Sequence, residues 1–128
     1  MSVAISPYLT FPDTAAAALE HYRGIFGGTV TICTYADSGL VDWPDSGNVF
    51  RGTLTTDTGA IIVCADTPAG MTLDGGRKSV ALDGEDRDQL ERWLAALAEG
   101  GLLELPLGHG GGVAIDRFGV RWIVTLRP

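Results

Sequence analysis

The chain has 128 residues, 45 % of them hydrophobic and 20 % charged, which suits one domain, or two small modules sharing a core, and excludes a disordered chain. Two cysteines and two histidines exclude a disulfide scaffold and any zinc site of Cys and His alone, other than one using all four. A formal charge of −7 repels phosphate backbones and anionic bilayers, so neither nucleic acid nor a membrane is expected as a partner.

The opening residues, Met1 to Pro7, lack a basic stretch followed by a long apolar run, so no signal peptide is expected. No segment reaches the roughly 18–20 apolar residues of a membrane span. Cys33 and Cys64 are therefore expected as reduced thiols in a cytoplasm.

In the first segment, Ile5, Pro7, Leu9 and Phe11 alternate with Ser6, Tyr8 and Thr10, the period of a strand. A helix is predicted next, with Asp13 as N-cap and a stripe of Ala15, Ala18, Leu19, Tyr22, Ile25 and Phe26. Gly27-Gly28 ends it. Strands follow at about 28–35, 48–55 and 60–66, with a long loop over 36–47 and a hairpin turn at Asp57-Thr58-Gly59. The segment 67–77 reads as a linker. Beyond it, Val80 and Leu82 alternate with Ser79, Ala81 and Asp83. A second helix begins at Asp86, with Gln89 three residues on as in a capping box, and a stripe of Leu90, Trp93, Leu94 and Leu97. Gly100-Gly101 ends it. Shorter strands are predicted at about 102–107, 112–116 and 120–126, with a turn at Asp116-Arg117-Phe118-Gly119.

Asp13 to Gly27 and Asp86 to Gly100 have the same length, and both pairs are offset by 73, as are Ser6 and Ser79 and Leu9 and Leu82. Several coincidences in register indicate an internal duplication of a β-α-β-β-β module, residues 1–66 and 78–128, within one domain spanning 1–128.

Two such modules resemble the vicinal oxygen chelate superfamily, which includes glyoxalase I, bleomycin-resistance proteins, fosfomycin-resistance enzymes and extradiol dioxygenases. The PhnB-like branch is the closer likeness. It is carried by Ile5-Ser6-Pro7-Tyr8-Leu9-Thr10-Phe11, Tyr22-Arg23-Gly24-Ile25-Phe26-Gly27-Gly28, Gly59-Ala60-Ile61-Ile62-Val63-Cys64-Ala65-Asp66-Thr67-Pro68 and Asp116-Arg117-Phe118-Gly119-Val120-Arg121-Trp122. The last run is the most specific. The resemblance implies an α+β fold in which two βαβββ modules curve their sheets around a cup, with the helices on the convex face (the glyoxalase/bleomycin resistance fold), and a homodimer. The branch is also labelled as related to a demethylubiquinone methyltransferase, but no glycine-rich methyl-donor site follows a strand here, so that activity is not adopted.

Strand parity then assigns faces. Ser6, Tyr8, Thr10, Ser79, Ala81, Arg121, Ile123 and Thr125 are expected to point into the cup, and Leu9, Leu82, Trp122 and Val124 to cover the helices. Catalytic relatives hold a divalent metal with His, Gln or Glu on the first strand of each module and Glu on the last. The resemblance places those positions on Ser6, Val63 (or Cys64, uncertain by one), Ser79 and Ile123. Hydroxyl and alkyl groups there offer little to a dication, so no metal cofactor is expected.

Other chemistry rests on a few residues. Arg51 and Arg121 suit an anionic or carbonyl-bearing ligand, or an edge ion pair. Tyr8 and Tyr35 could stack on a planar ligand or fill the core. His109, in a glycine run at the expected mouth, could contact a ligand or move a proton, or be an exposed loop residue. That run is shorter than the PhnB-like segment, which usually carries an aromatic residue. Trp43-Pro44 reads as a lid or a loop anchor, and His21 as a surface histidine. The candidate ligand-binding residues are thus Ser6, Tyr8, Arg51, Ser79, His109, Arg121 and Ile123. Three functions remain open: metal-independent binding of a small anionic or planar molecule, an enzyme of lyase, isomerase or dioxygenase type with a non-standard metal or none, and a dimerising structural or interaction module with a closed cup.

Overall fold

The computed structural model describes residues 5–39, 46–67, 78–108 and 110–127. Trp43, Pro44, His109 and nearly all of the linker lie outside the described residues. The chain divides into two compact units, Met1–Gly76 and Arg77–Pro128, each, among the described residues, a single helix on a four-stranded sheet.

The first unit runs β1 (Tyr8–Phe11), α1 (Ala15–Phe26), β2 (Thr29–Thr34), β3 (Val49–Thr55) and β4 (Ile61–Asp66). Its sheet order is β1-β4-β3-β2, with β1 parallel to β4 and the other pairs antiparallel. The second runs β5 (Ser79–Gly84), α2 (Arg87–Ala98), β6 (Leu102–Leu105), β7 (Gly111–Ile115) and β8 (Arg121–Leu126), in the order β5-β8-β7-β6 with the same senses. The fold is α+β, and the repeated βαβββ topology carries the duplication read from the glycines and caps.

Register refines the repeat. Tyr8 pairs with Val63, and Ala81 pairs with Ile123, so the first strands keep the offset of 73. The last strands, Val63 and Ile123, are offset by 60. The first unit therefore carries 13 more residues than the second, gained between its second and third strands, where the long loop was predicted. The hairpin turns match as well. Thr56 N–H donates to Ala60 and Asp116 N–H to Val120, while Gly59 and Gly119 donate back from φ of 90° and 87°. Glycine takes that left-handed conformation without a Cβ clash.

The helices, however, are offset by 72, from Ala15 to Arg87, which corrects the N-cap assignment. The cap of α1 is Thr14, and its side chain makes no capping bond. Asp13 is an extra residue relative to the second unit. It takes φ of 65°, and its carboxylate accepts from Asn48 Nδ2 at 2.7 Å. The first-turn amide of Ala15 is instead satisfied from a distance, by Asp66 Oδ1 at 2.9 Å. Asp86 caps α2 as expected, accepting from Gln89 N–H at 3.2 Å.

Each helix covers one sheet face. The row Leu9–Cys64–Gly52–Ile32 faces α1, because a Cβ on Gly52 would overlap Leu19 Cδ1. The row Val80–Trp122–Ala114–Leu103 faces α2, as does Gly112, whose Cβ would lie 2.8 Å from Leu94 Cδ2. Leu9, Phe11, Leu19, Tyr22 and Leu54 form the first core, and Leu90, Leu94, Leu97, Trp122 and Val124 the second. Two expectations fail here. Trp93 is half-buried, since the buried stripe of α2 comprises Leu90, Leu94 and Leu97 and leaves it at the margin. Ile5 precedes β1 and is fully exposed, so the first strand begins three residues later than the alternation suggested.

Candidate functional site

With the helix-covered rows fixed, period-two alternation sends the intervening rows to the opposite, open face of each sheet, which in the first unit is exposed at Tyr8, Arg51, Thr31 and Thr55 and buried at Thr10, Val63 and Ala65. In the first unit one such row is Tyr8–Val63–Thr53–Thr31. Arg51 lies two residues from Thr53 on β3 and pairs with Cys33. In the second unit the corresponding row is Ala81–Ile123–Val113–Leu105, and the neighbouring one is Ser79–Arg121–Ile115–Leu102. Parity thus places Tyr8, Ser79, Arg121 and Ile123 on open faces, as Trp122 and Val124 face the helix. Ser6 lies just before β1, two residues from Tyr8, and is half-buried.

The two arginines differ. Arg121 donates through Nε to Glu104 Oε1 at 2.8 Å and through Nη2 to Glu104 Oε2 at 3.2 Å, a two-pronged ion pair. A register shift between Leu103 and Leu105 makes Glu104 the bulged residue of β6, which frees it for this contact. The hydrogen bond from Arg121 holds the Glu104 carboxyl below its ordinary range, and the same bond raises the Arg121 guanidinium. The edge ion pair is therefore the state of Arg121. Arg51 is exposed and forms no ion pair among the described residues. The two also occupy different places in the repeat, one on the third strand of its unit and one on the last.

The aromatic candidates separate too. Tyr8 is 52 % exposed on the open face. Tyr35 is buried, its hydroxyl donating to the Asp66 carbonyl at 2.8 Å and its ring meeting Phe50 edge-on at 5.4 Å. Burial pushes the Tyr35 phenol up, and Tyr8 and Asp66 add to the shift. Tyr35 is thus a core residue. His21 is half-buried with its ring 5.8 Å from that of Tyr22.

The metal positions can be judged by their donors. Val63 is buried at 3 % exposure and Ile123 is 43 % exposed, each at an open-face position of its last strand. With Ser6 and Ser79 they provide hydroxyl and alkyl groups, which do not fit a divalent cation. Among the described residues no group of three or more His, Cys, Asp or Glu side chains is placed to hold a metal ion.

Sequence reasoning missed two buried carboxylates, both of which prove structural. Asp66 Oδ1 and Oδ2 accept from Ala15 and Val49 amides, tying α1 and β3 to β4. Asp116 Oδ1 accepts from the amides of Phe118 and Val120, and Oδ2 from Trp122 Nε1. The Asp-Arg-Phe-Gly-Val-Arg-Trp run is thus a self-satisfied hairpin turn with its own indole tether. A groove of about 220 Å³ also lies on the helix side of the second unit, lined by Glu91, Leu94, Ala95, Leu103, Pro106 and Leu107. None of the described candidate residues lines it. No helix is long and apolar enough to cross a membrane among the described residues.

No family model matches the chain. Protein YjdN of Escherichia coli (strain K12) is 24 % identical over 139 residues, covering 95 % of this chain and 94 % of that protein. The crystal structure of protein PA1353 from Pseudomonas aeruginosa superposes with a TM-score of 0.83 at 28 % identity, covering 98 % of both chains. The PhnB protein from Bacillus cereus gives a TM-score of 0.72 at 24 % identity, covering 98 % of this chain and all of that one. The fold is shared with glyoxalase and bleomycin resistance proteins of known structure.

Proposed function

We propose that the chain binds a small molecule on an open sheet face, without a divalent metal at the positions that mark the catalytic members of the superfamily. The observation that carries this reading is the alkyl character of Val63 and Ile123, which pair with Tyr8 and Ala81 where a carboxylate would be needed. Arg51 and Tyr8 supply what a metal would otherwise provide for orientation: a fixed cation with five donors and an aromatic body with a polar tip. Binding of this kind requires only a shaped surface and a few placed polar groups.

A thermal-shift screen on tag-free protein tests it, using small carboxylates, other small anions and planar aromatics. A ligand at a hundredfold its Kd stabilises by about 2.7 kcal/mol, a rise of several degrees in Tm. At least one metal-free hit is expected. If instead only a transition metal stabilises the protein, and His109→Ala abolishes that effect, the chain is a metalloprotein and the reading is wrong.

A further inference from the structure

The two open faces are built on one duplicated scaffold, yet their chemistry has diverged. At equivalent rows the first unit presents Tyr8, Val63, Thr53 and Thr31, and the second presents Ala81, Ile123, Val113 and Leu105. The next row repeats the contrast: Thr55 and Thr29 pair in the first unit where Ile115 and Leu102 pair in the second. The same backbone positions that display hydroxyls in one unit display hydrocarbon in the other.

Charge divides in the same way. None of the strand positions on the first unit's open face is acidic, although the chain carries 16 acidic residues. That face carries one cation, Arg51, which is exposed and without an ion pair among the described residues. On the second unit Asp83 shares the open face with Thr125, and Arg121 is already occupied by Glu104. An anion approaching the second unit would have to displace a carboxylate that makes two charge-assisted bonds. At Arg51 it would meet an exposed guanidinium, unpaired among the described residues and flanked along β3 by the Thr53 hydroxyl.

From this complementarity we propose that the first unit's open face recognises a small hydroxy-carboxylate of the sugar-acid class. The inference rests on the small-molecule reading above and narrows it. Arg51 takes the carboxylate in a two-pronged contact. Thr53, Thr31 and the Tyr8 hydroxyl, which both donate and accept, bond the ligand's hydroxyl groups. The ring of Tyr8, half exposed beside the buried Val63, meets the ligand's C–H surface. An aliphatic carboxylate would leave the threonines unrewarded, and a neutral sugar would leave the arginine so.

Gluconate, glucose and hexanoate, titrated separately into the ¹⁵N-labelled full chain, test the assignment. Gluconate is expected to shift the amides of Thr31, Arg51 and Thr53, with glucose and hexanoate needing about tenfold higher concentration or more. Arg51→Gln should weaken gluconate about tenfold or more, and Thr53→Val should weaken it a few-fold, while Arg121→Gln leaves it unchanged. Because Arg51 is exposed, its replacement should leave the rest of the spectrum in place. Equal binding of hexanoate and gluconate, shifts confined to β6–β8, indifference to Arg51→Gln, or no gluconate shift at tens of millimolar would each overturn the sugar-acid assignment. Hexanoate binding on β6–β8 would do so while leaving the broader reading intact. Silence from all three probes together with an empty thermal-shift screen would remove both.

Discussion

Replacing Asp116 with alanine is expected to lower folding stability by about 3–4 kcal/mol, a large share of what a domain of this size possesses. The carboxylate is 2 % exposed and accepts from three donors, the amides of Phe118 and Val120 and the indole of Trp122. Alanine would leave all three facing a void, and a buried donor without a partner loses its desolvation energy outright. Trp122 is itself fully buried and stands in the row that faces α2, so loosening its tether should reach the second core. Two further variants apportion the loss. Trp122→Phe removes one donor and should cost about 1–2 kcal/mol beyond any cavity effect, and Asp116→Asn, which keeps part of the acceptor set, should fall between. Urea denaturation followed by circular dichroism measures all three. An Asp116→Ala midpoint within experimental scatter of the parent would show that the turn holds by its backbone bonds alone.

The second large effect belongs to Asp66. Its alanine variant is expected to lose about 3 kcal/mol, because the two carboxylate oxygens hold the first amide of α1 and the first amide of β3 at 2.9 and 2.8 Å. This carboxylate does the work that a local N-cap does for α2, so Thr14→Ala should be nearly silent while Asp86→Ala costs about 1 kcal/mol. The predicted order is therefore Asp66, then Asp86, then Thr14, measured by the same denaturation curves. A Thr14→Ala loss as large as that of Asp66→Ala would reverse the assignment of the cap.

These two residues mark the limit of what sequence reasoning can reach. Strand faces were legible because alternation is local: Leu9, Trp122 and Val124 are buried and Arg121, Ile123 and Thr125 are exposed, as parity requires. Both helices were legible from their stripes, and the duplication from glycines that end them at φ of 73° and 79°. The true cap of α1 was not, because its acceptor stands 51 residues away and only the folded sheet brings it near. Asp13 looked like the cap because it matched Asp86 by spacing, and its positive φ shows that one extra residue was accommodated in the turn instead. The Glu104 partner of Arg121 was hidden for a related reason, since a one-residue bulge in a short edge strand leaves no pattern in the sequence. Residue types at the open faces could be read from parity. The pairing of Arg121 with Glu104 needed the register of β6 against β7.

Whether binding proceeds without a metal is open to one direct measurement. Tag-free protein is analysed for bound metals, and the affinity of a screened ligand is then measured before and after exhaustive treatment with a chelator. Substoichiometric metal and an unchanged Kd are expected. A stoichiometric divalent metal, with binding lost on chelation and restored by adding the metal back, would contradict metal-free binding.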